Sequence, residues 1–85
     1  MYKTTRPRLM ACLGWLAFRF GRHSGGGIEI KLRLTHQEIS ELICSSRITV
    51  TRLLGQLVRD GLLQRAGPQT LVLLAPLEKF ITVRP

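Results

Sequence analysis

The apolar positions of this chain change period along its length, and each change marks an element. Pro7 suits a first helical position, and Leu9, Leu13, Leu16 and Phe20 follow at intervals of four, three and four. That spacing predicts one buried helical stripe, which Gly21 stops. Ser24, Gly25, Gly26 and Gly27 then read as a flexible connection. From Ile28 the pattern becomes strict alternation, with Ile28, Ile30, Leu32 and Leu34 on one face and Glu29, Lys31 and Arg33 on the other. This predicts a half-buried strand.

Thr35 ends the strand and, with Glu38 three residues on, has the form of a capping box. A helix should begin at His36, with Ile39, Leu42 and Ile43 on its core side and the small Ser40 where the next helix approaches. Cys44 and Ser45 fill a tight turn, and Ser46 caps a second helix that runs to about Arg59 before Asp60 and Gly61 end it. Residues 35–59 therefore form a helix-turn-helix, which presents its second helix to the major groove of DNA. Leu62 and Leu63 lead through Gln64 to Thr70 into Leu71, Val72, Leu73 and Leu74. Two short strands around the Gly67-Pro68 turn make a wing over about 63–74. Residues 75–85, with apolar Leu77, Phe80, Ile81 and Val83, stay unassigned. The expected fold class is mainly α with a small antiparallel β component: a winged helix-turn-helix of three helices plus a β-wing, in a single domain over 1–85.

Charge narrows the partner. Thirteen Lys and Arg against five Asp and Glu give a formal net charge of +8. This excess suits a polyanion, and ten of the thirteen are arginines, fit for bidentate contacts to phosphate or guanine. Cys12 and Cys44 lie far apart in apolar helical patterns and are expected to be small buried hydrophobes. They make no usual metal spacing with His23 or His36, so neither a disulfide scaffold nor a metal or other cofactor is expected. The apolar run from Leu9 to Phe20, broken by Gly14 and Arg19, falls short of the roughly twenty residues that span a bilayer. No cleavage-type site follows it, so the expected location is the cytoplasm, with no membrane partner.

The second helix divides cleanly. At about 100° per residue, Val50, Leu53, Leu54 and Leu57 share one arc, and Arg47, Ile48, Thr51, Arg52, Gly55 and Arg59 share the other. Arg47 and Arg52 can reach guanine O6 and N7, while Ile48 and the methyl of Thr51 suit the 5-methyl of thymine. Thr35, Gln37 and Ser46 sit at helix N-termini, whose free N–H groups bind phosphate, and both capping and phosphate roles can hold together. His36 and Thr49 are candidates for backbone phosphates, and Arg65 for a phosphate or minor-groove contact from the wing.

The segment THQEISELICSSRITVTRLLGQL, preceded by IEIKLRL and LMACLGWLAFRFG, resembles the DNA-binding domain of the cyclic-AMP receptor and fumarate-nitrate regulator (Crp/Fnr) superfamily. It is most similar to the cyanobacterial global nitrogen regulators, which have a close counterpart of SSRITVTRLL, and the resemblance covers about Arg8 to Leu74. It implies a winged helix that binds a palindromic operator as a dimer and recruits or blocks RNA polymerase. Arg47 and Arg52 then match the base-reading arginines, and Thr35, Gln37, Ser46 and Thr49 match phosphate contacts. His36 stands where an arginine often does. Ile48 replaces a glutamate that would accept from cytosine N4, which implies thymine at that inner position of a GTA-type half-site. Cys44 replaces the usual turn glycine, which implies a small backbone strain. Family members also carry an effector-binding β-roll and a long dimerising helix, neither of which is expected in front of Met1. The chain is then either part of a longer regulator or a dimer through another surface, the first helix or the tail. The competing reading is a winged helix used for protein contact or for non-specific RNA binding. An enzyme is not expected, because capping and turn roles account for His36, Glu38, Cys44, Ser45 and Ser46.

Overall fold

The computed structural model describes residues 2–31, 34–67 and 69–80, and not the side chains of 2–4 and 24. Four helices and four strands follow in the order α1 (Tyr2–Phe20), β1 (Arg22–Ser24), β2 (Gly27–Lys31), α2 (His36–Leu42), α3 (Arg47–Arg59), β3 (Leu63–Gly67), β4 (Thr70–Leu73) and α4 (Leu77–Phe80). Each strand pairs antiparallel in one sheet of order β1-β2-β4-β3. The winged helix-turn-helix class holds, with one helix more than expected. That helix, α4, lies in the unassigned tail and buries Phe80 in the core beside α1.

Helix α1 starts before Pro7 rather than at it. Pro7 is the sixth residue of α1, past the first four N–H groups that lack intrahelical partners, so it forfeits one i→i−4 bond within the helix. The extra turn is tied down from outside. Thr5 is buried, and Arg6 reaches α3, where its guanidinium donates to Asp60 Oδ2 at 2.8 Å and to Gln56 Oε1 at 3.3 Å. Leu9 and Leu13 are fully buried as expected, but the stripe ends on Ala17, and Phe20 is 65% exposed. Phe20 lies on the right arc of the helix but at its last residue, where the chain turns away through Gly21. A Cβ at Gly21 would collide with the Ala17 carbonyl and the Ile28 side chain, so only glycine fits the turn.

The stretch expected as a flexible connection is a tight β-hairpin. Arg22, His23 and Ser24 pair with Glu29, Ile28 and Gly27, leaving Gly25 and Gly26 as a two-residue loop. Gly25 has φ +59°, the left-handed conformation that two-residue hairpins demand and that glycine supplies without steric cost. In β2 the alternation leaves Ile30 buried and Ile28 half-buried, and Leu34 packs on the core from beyond the strand. Leu32 and Arg33 lie outside the described residues. The wing forms from β3 and β4, with a register shift between Arg65 and Gly67, and Pro68 of its turn also lies outside them. Ile81 and Val83 do too. Strand β4 does more than pair within the wing: Leu71 and Leu73 stand opposite Ile30 and Ile28 of β2, so the wing is continuous with the first hairpin.

Both helices of the helix-turn-helix end in the same backbone arrangement. After α3, the Gly61 N–H donates to the Val58 carbonyl at 3.1 Å and the Leu62 N–H to the Leu57 carbonyl at 3.0 Å. After α2, the Cys44 N–H donates to Glu41 at 3.4 Å and the Ser45 N–H to Ser40 at 2.8 Å. This pair of bonds is the Schellman cap, which needs a left-handed residue just past the helix. Gly61 (φ +79°) supplies it once, and Cys44 (φ +56°) supplies it the second time. The strain expected at Cys44 is therefore present. Cys44 is also exposed and Cys12 only half-buried, which corrects the expectation of two buried cysteines. Partial burial still pushes the Cys12 thiol above its usual pKa.

On α2 the core side is Ile39 and Ile43 with Ser40, and Leu42 is 63% exposed. Ile43 and Ser40 lie about 40° and 100° round the helix from Ile39 in one sense, whereas Leu42 lies about 60° the other way. A left-handed αL residue other than glycine costs roughly 1–2 kcal/mol, partly offset by the greater unfolded-state freedom of glycine. Cys44→Gly should accordingly raise the unfolding free energy by up to about 1 kcal/mol in urea denaturation, with the slope on urea unchanged.

Candidate nucleic-acid interface

Helix α3 has one half in the core and the other in solvent. Val50, Leu53, Leu54 and Leu57 are buried, and Arg47, Ile48, Thr51, Arg52 and Arg59 are exposed. Ile48, at 69% exposure, is the most exposed apolar side chain of the helix-turn-helix. Among the described residues Arg47, Arg52 and Arg65 form no ion pair, so their guanidinium groups keep their full donor capacity for a ligand.

The helix start is built by Ser46. Its Oγ accepts from the Thr49 N–H at 3.1 Å, and its hydroxyl lies 2.9 Å from Thr49 Oγ1. Thr49 is half-buried beside the cap, while Ser46 is exposed. At the start of α2 the capping box is complete: Thr35 Oγ1 accepts from the Glu38 N–H at 3.0 Å, and Glu38 Oε1 accepts from the Thr35 N–H at 2.9 Å. Gln37 is exposed and leans toward Glu41, 3.4 Å away. Ser40 is fully buried and donates to the Gln37 carbonyl at 2.6 Å. Arg65 stands exposed on β3 opposite Leu71.

Two connections had no signal in the sequence. His36 Nδ1 lies 2.8 Å from Thr51 Oγ1, joining the first residue of α2 to the exposed face of α3. Arg6 joins α1 to the far end of α3, as described above. Both span long sequence separations between half-buried or exposed polar residues, where neither hydrophobic period nor local capping patterns apply. A known position for the α2–α3 crossing would have been needed to find the first. The second needed α1 extended by a turn before Pro7.

A helix-turn-helix with its second helix half exposed, flanked by a wing continuous with the sheet, defines a winged helix-turn-helix domain. Residues 7–80 match the Crp-like helix-turn-helix domain, and the chain belongs to that family. Over 66 residues it is 48% identical to the regulatory protein CysR of Synechococcus elongatus, covering 74% of this chain and 32% of that protein. It is 50% identical over 56 residues to the global nitrogen regulator of the same organism, covering 66% and 25% respectively. Among solved structures, the imidazole-bound CO-dependent transcription factor CooA from Carboxydothermus hydrogenoformans superposes with a TM-score of 0.81 at 33% identity. The superposition covers 93% of this chain and 37% of that one. The chain thus spans a third or less of the length of these curated relatives.

The Ser46 cap is open to a direct test. Ser46→Ala should lower the unfolding free energy by about 1 kcal/mol, and Ser46→Asp, which keeps a capping oxygen, should recover most of that loss. Thermal or urea unfolding of the two variants measures both.

Proposed function

We propose that this chain is the sequence-specific DNA-binding module of a Crp/Fnr-type transcription regulator. Helix α3 enters the major groove of one half of a palindromic operator. The observation that carries this reading is the exposed half of α3, where two unpaired arginines flank Ile48 and Thr51 on a helix whose other half is locked in the core. Arg47 and Arg52 read guanine edges, and Ile48 and Thr51 contact thymine. Thr35, His36, Gln37, Ser46 and Thr49, gathered at the two helix N-termini, and Arg65 on the wing take the backbone phosphates. The net charge of +8 favours the same partner.

The palindrome requires two copies, brought together on DNA or through further segments of a longer chain; contact with RNA polymerase would make the bound module a regulator. Membership in the Crp-like family and the regulators among its relatives support this role. A second reading, a winged helix used for protein contact, draws on α1. There Trp15, Phe18 and Phe20 are exposed, Trp15 meets Phe20 edge-on at 6.5 Å, and Arg19 stands 5.4 Å over the Trp15 ring.

Fluorescence anisotropy separates the readings, using a palindromic duplex selected from a random pool by this chain. Arg47→Ala should weaken the selected duplex tenfold or more relative to random duplex, on the order of the 1–3 kcal/mol that one bidentate guanine contact contributes. Equal weakening on selected duplex, random duplex and RNA would defeat the sequence-specific reading. Arg65→Ala should instead weaken all duplexes alike and reduce the log-log salt slope by about one.

A further inference from the structure

His36 and Thr51 were expected to act separately, one on a phosphate and one on a base. The structure joins them, with Nδ1 and Oγ1 2.8 Å apart. The consequence follows from the geometry of threonine. Hydroxyl and methyl branch from the same Cβ, and in a helix threonine divides its population between two χ1 rotamers. A partner that holds Oγ1 selects one rotamer and so fixes the methyl as well. The hydroxyl keeps hydrogen-bonding capacity beyond this one contact, but the rotamer that the contact selects also sets where the methyl stands on the exposed side of α3. Ile48 stands three residues earlier, a spacing that makes the two side chains neighbours on the helix surface.

We propose that His36 is a positioning residue. By holding the Thr51 hydroxyl, it turns Ile48 and Thr51 into one apolar strip that reads the 5-methyl groups of thymine. This rests on the reading of α3 as the base-contacting helix, on which Thr51 meets thymine, and revises it at one residue: His36 fixes the Thr51 methyl that makes that contact, in place of the backbone phosphate assigned to it above.

Uracil provides the test, because it pairs like thymine but lacks the 5-methyl. The full chain is titrated with its selected duplex, with the same duplex carrying single thymine-to-uracil replacements, and with random duplex, each at several salt concentrations. The native chain should lose about fourfold in affinity at the thymines read, the worth of one buried methyl-sized group. In His36→Leu that ratio should fall toward one at the thymine facing Thr51, with the salt slope unchanged. His36→Asn should restore it, since the Asn amide atoms lie as many bonds from the backbone as Nδ1. Thr51→Ser, which keeps the hydroxyl and removes the methyl, should lose the ratio while leaving α2 and α3 as they are. The proposal is overturned if the native chain shows no thymine preference, or if Thr51→Ser keeps it. It is equally overturned if His36→Leu weakens thymine and uracil duplexes by one common factor with a salt slope smaller by about one, the mark of a phosphate contact. Equal binding of the native chain to selected and random duplex would instead remove the DNA reading itself, and this inference with it.

Discussion

The rotation of α3 about its own axis is the constraint on which the rest of the structure depends. Four side chains, Val50, Leu53, Leu54 and Leu57, leave water on one side of that helix. At roughly 1.5–3 kcal/mol each, their gross burial is on the order of the whole net stability of a small domain. A turn of the helix by one residue position would expose part of this stripe and push an arginine toward the core. The apolar side therefore fixes which residues face outward. The exposed Arg6–Asp60 ion pair, worth at most about 1 kcal/mol, adds orientation more than stability.

Around that fixed helix the backbone is finished by caps more than by side-chain contacts. Each helix of the pair begins on a hydroxyl and ends on a left-handed residue, so the loose N–H and C=O groups at those ends find partners within a few residues. Short closure of this kind leaves the turn little freedom, and the crossing of α2 over α3 is set as a result. The bond between His36 and Thr51 can form only because that crossing is held.

These relations explain how much of the fold could be read in advance. Thr35, Glu38, Ser46 and Gly61 act locally, and the period of α3 is long and unbroken; both are written in adjacent residues, and both were legible. Helix α4 was not, because one buried Phe80 in a four-residue helix leaves no period to detect. Strand β1 has three polar residues and owes its existence to pairing with β2. Phe20 and Leu42 are apolar but stand where no other element covers them, which hydrophobic spacing alone does not reveal. For the interface, the exposed arc of α3 was legible, while the partnership between His36 and Thr51 depends on a crossing that sequence does not encode locally.

The sheet order ties α3 to strands far from it in sequence. Lys31 pairs with Thr70, so β2 and β4 clasp the two ends of a loop of about forty residues that contains both helices of the helix-turn-helix. Closing so long a loop is entropically costly and slow compared with forming a helix. A chain cut before β4 would lose the strand that lies between β2 and β3, and with it the link that joins β3, on which α3 packs, to the rest of the sheet. Helix α3 is in this sense not a portable part: residues 35–59 taken alone would leave behind the strands and the first helix against which its apolar side is buried.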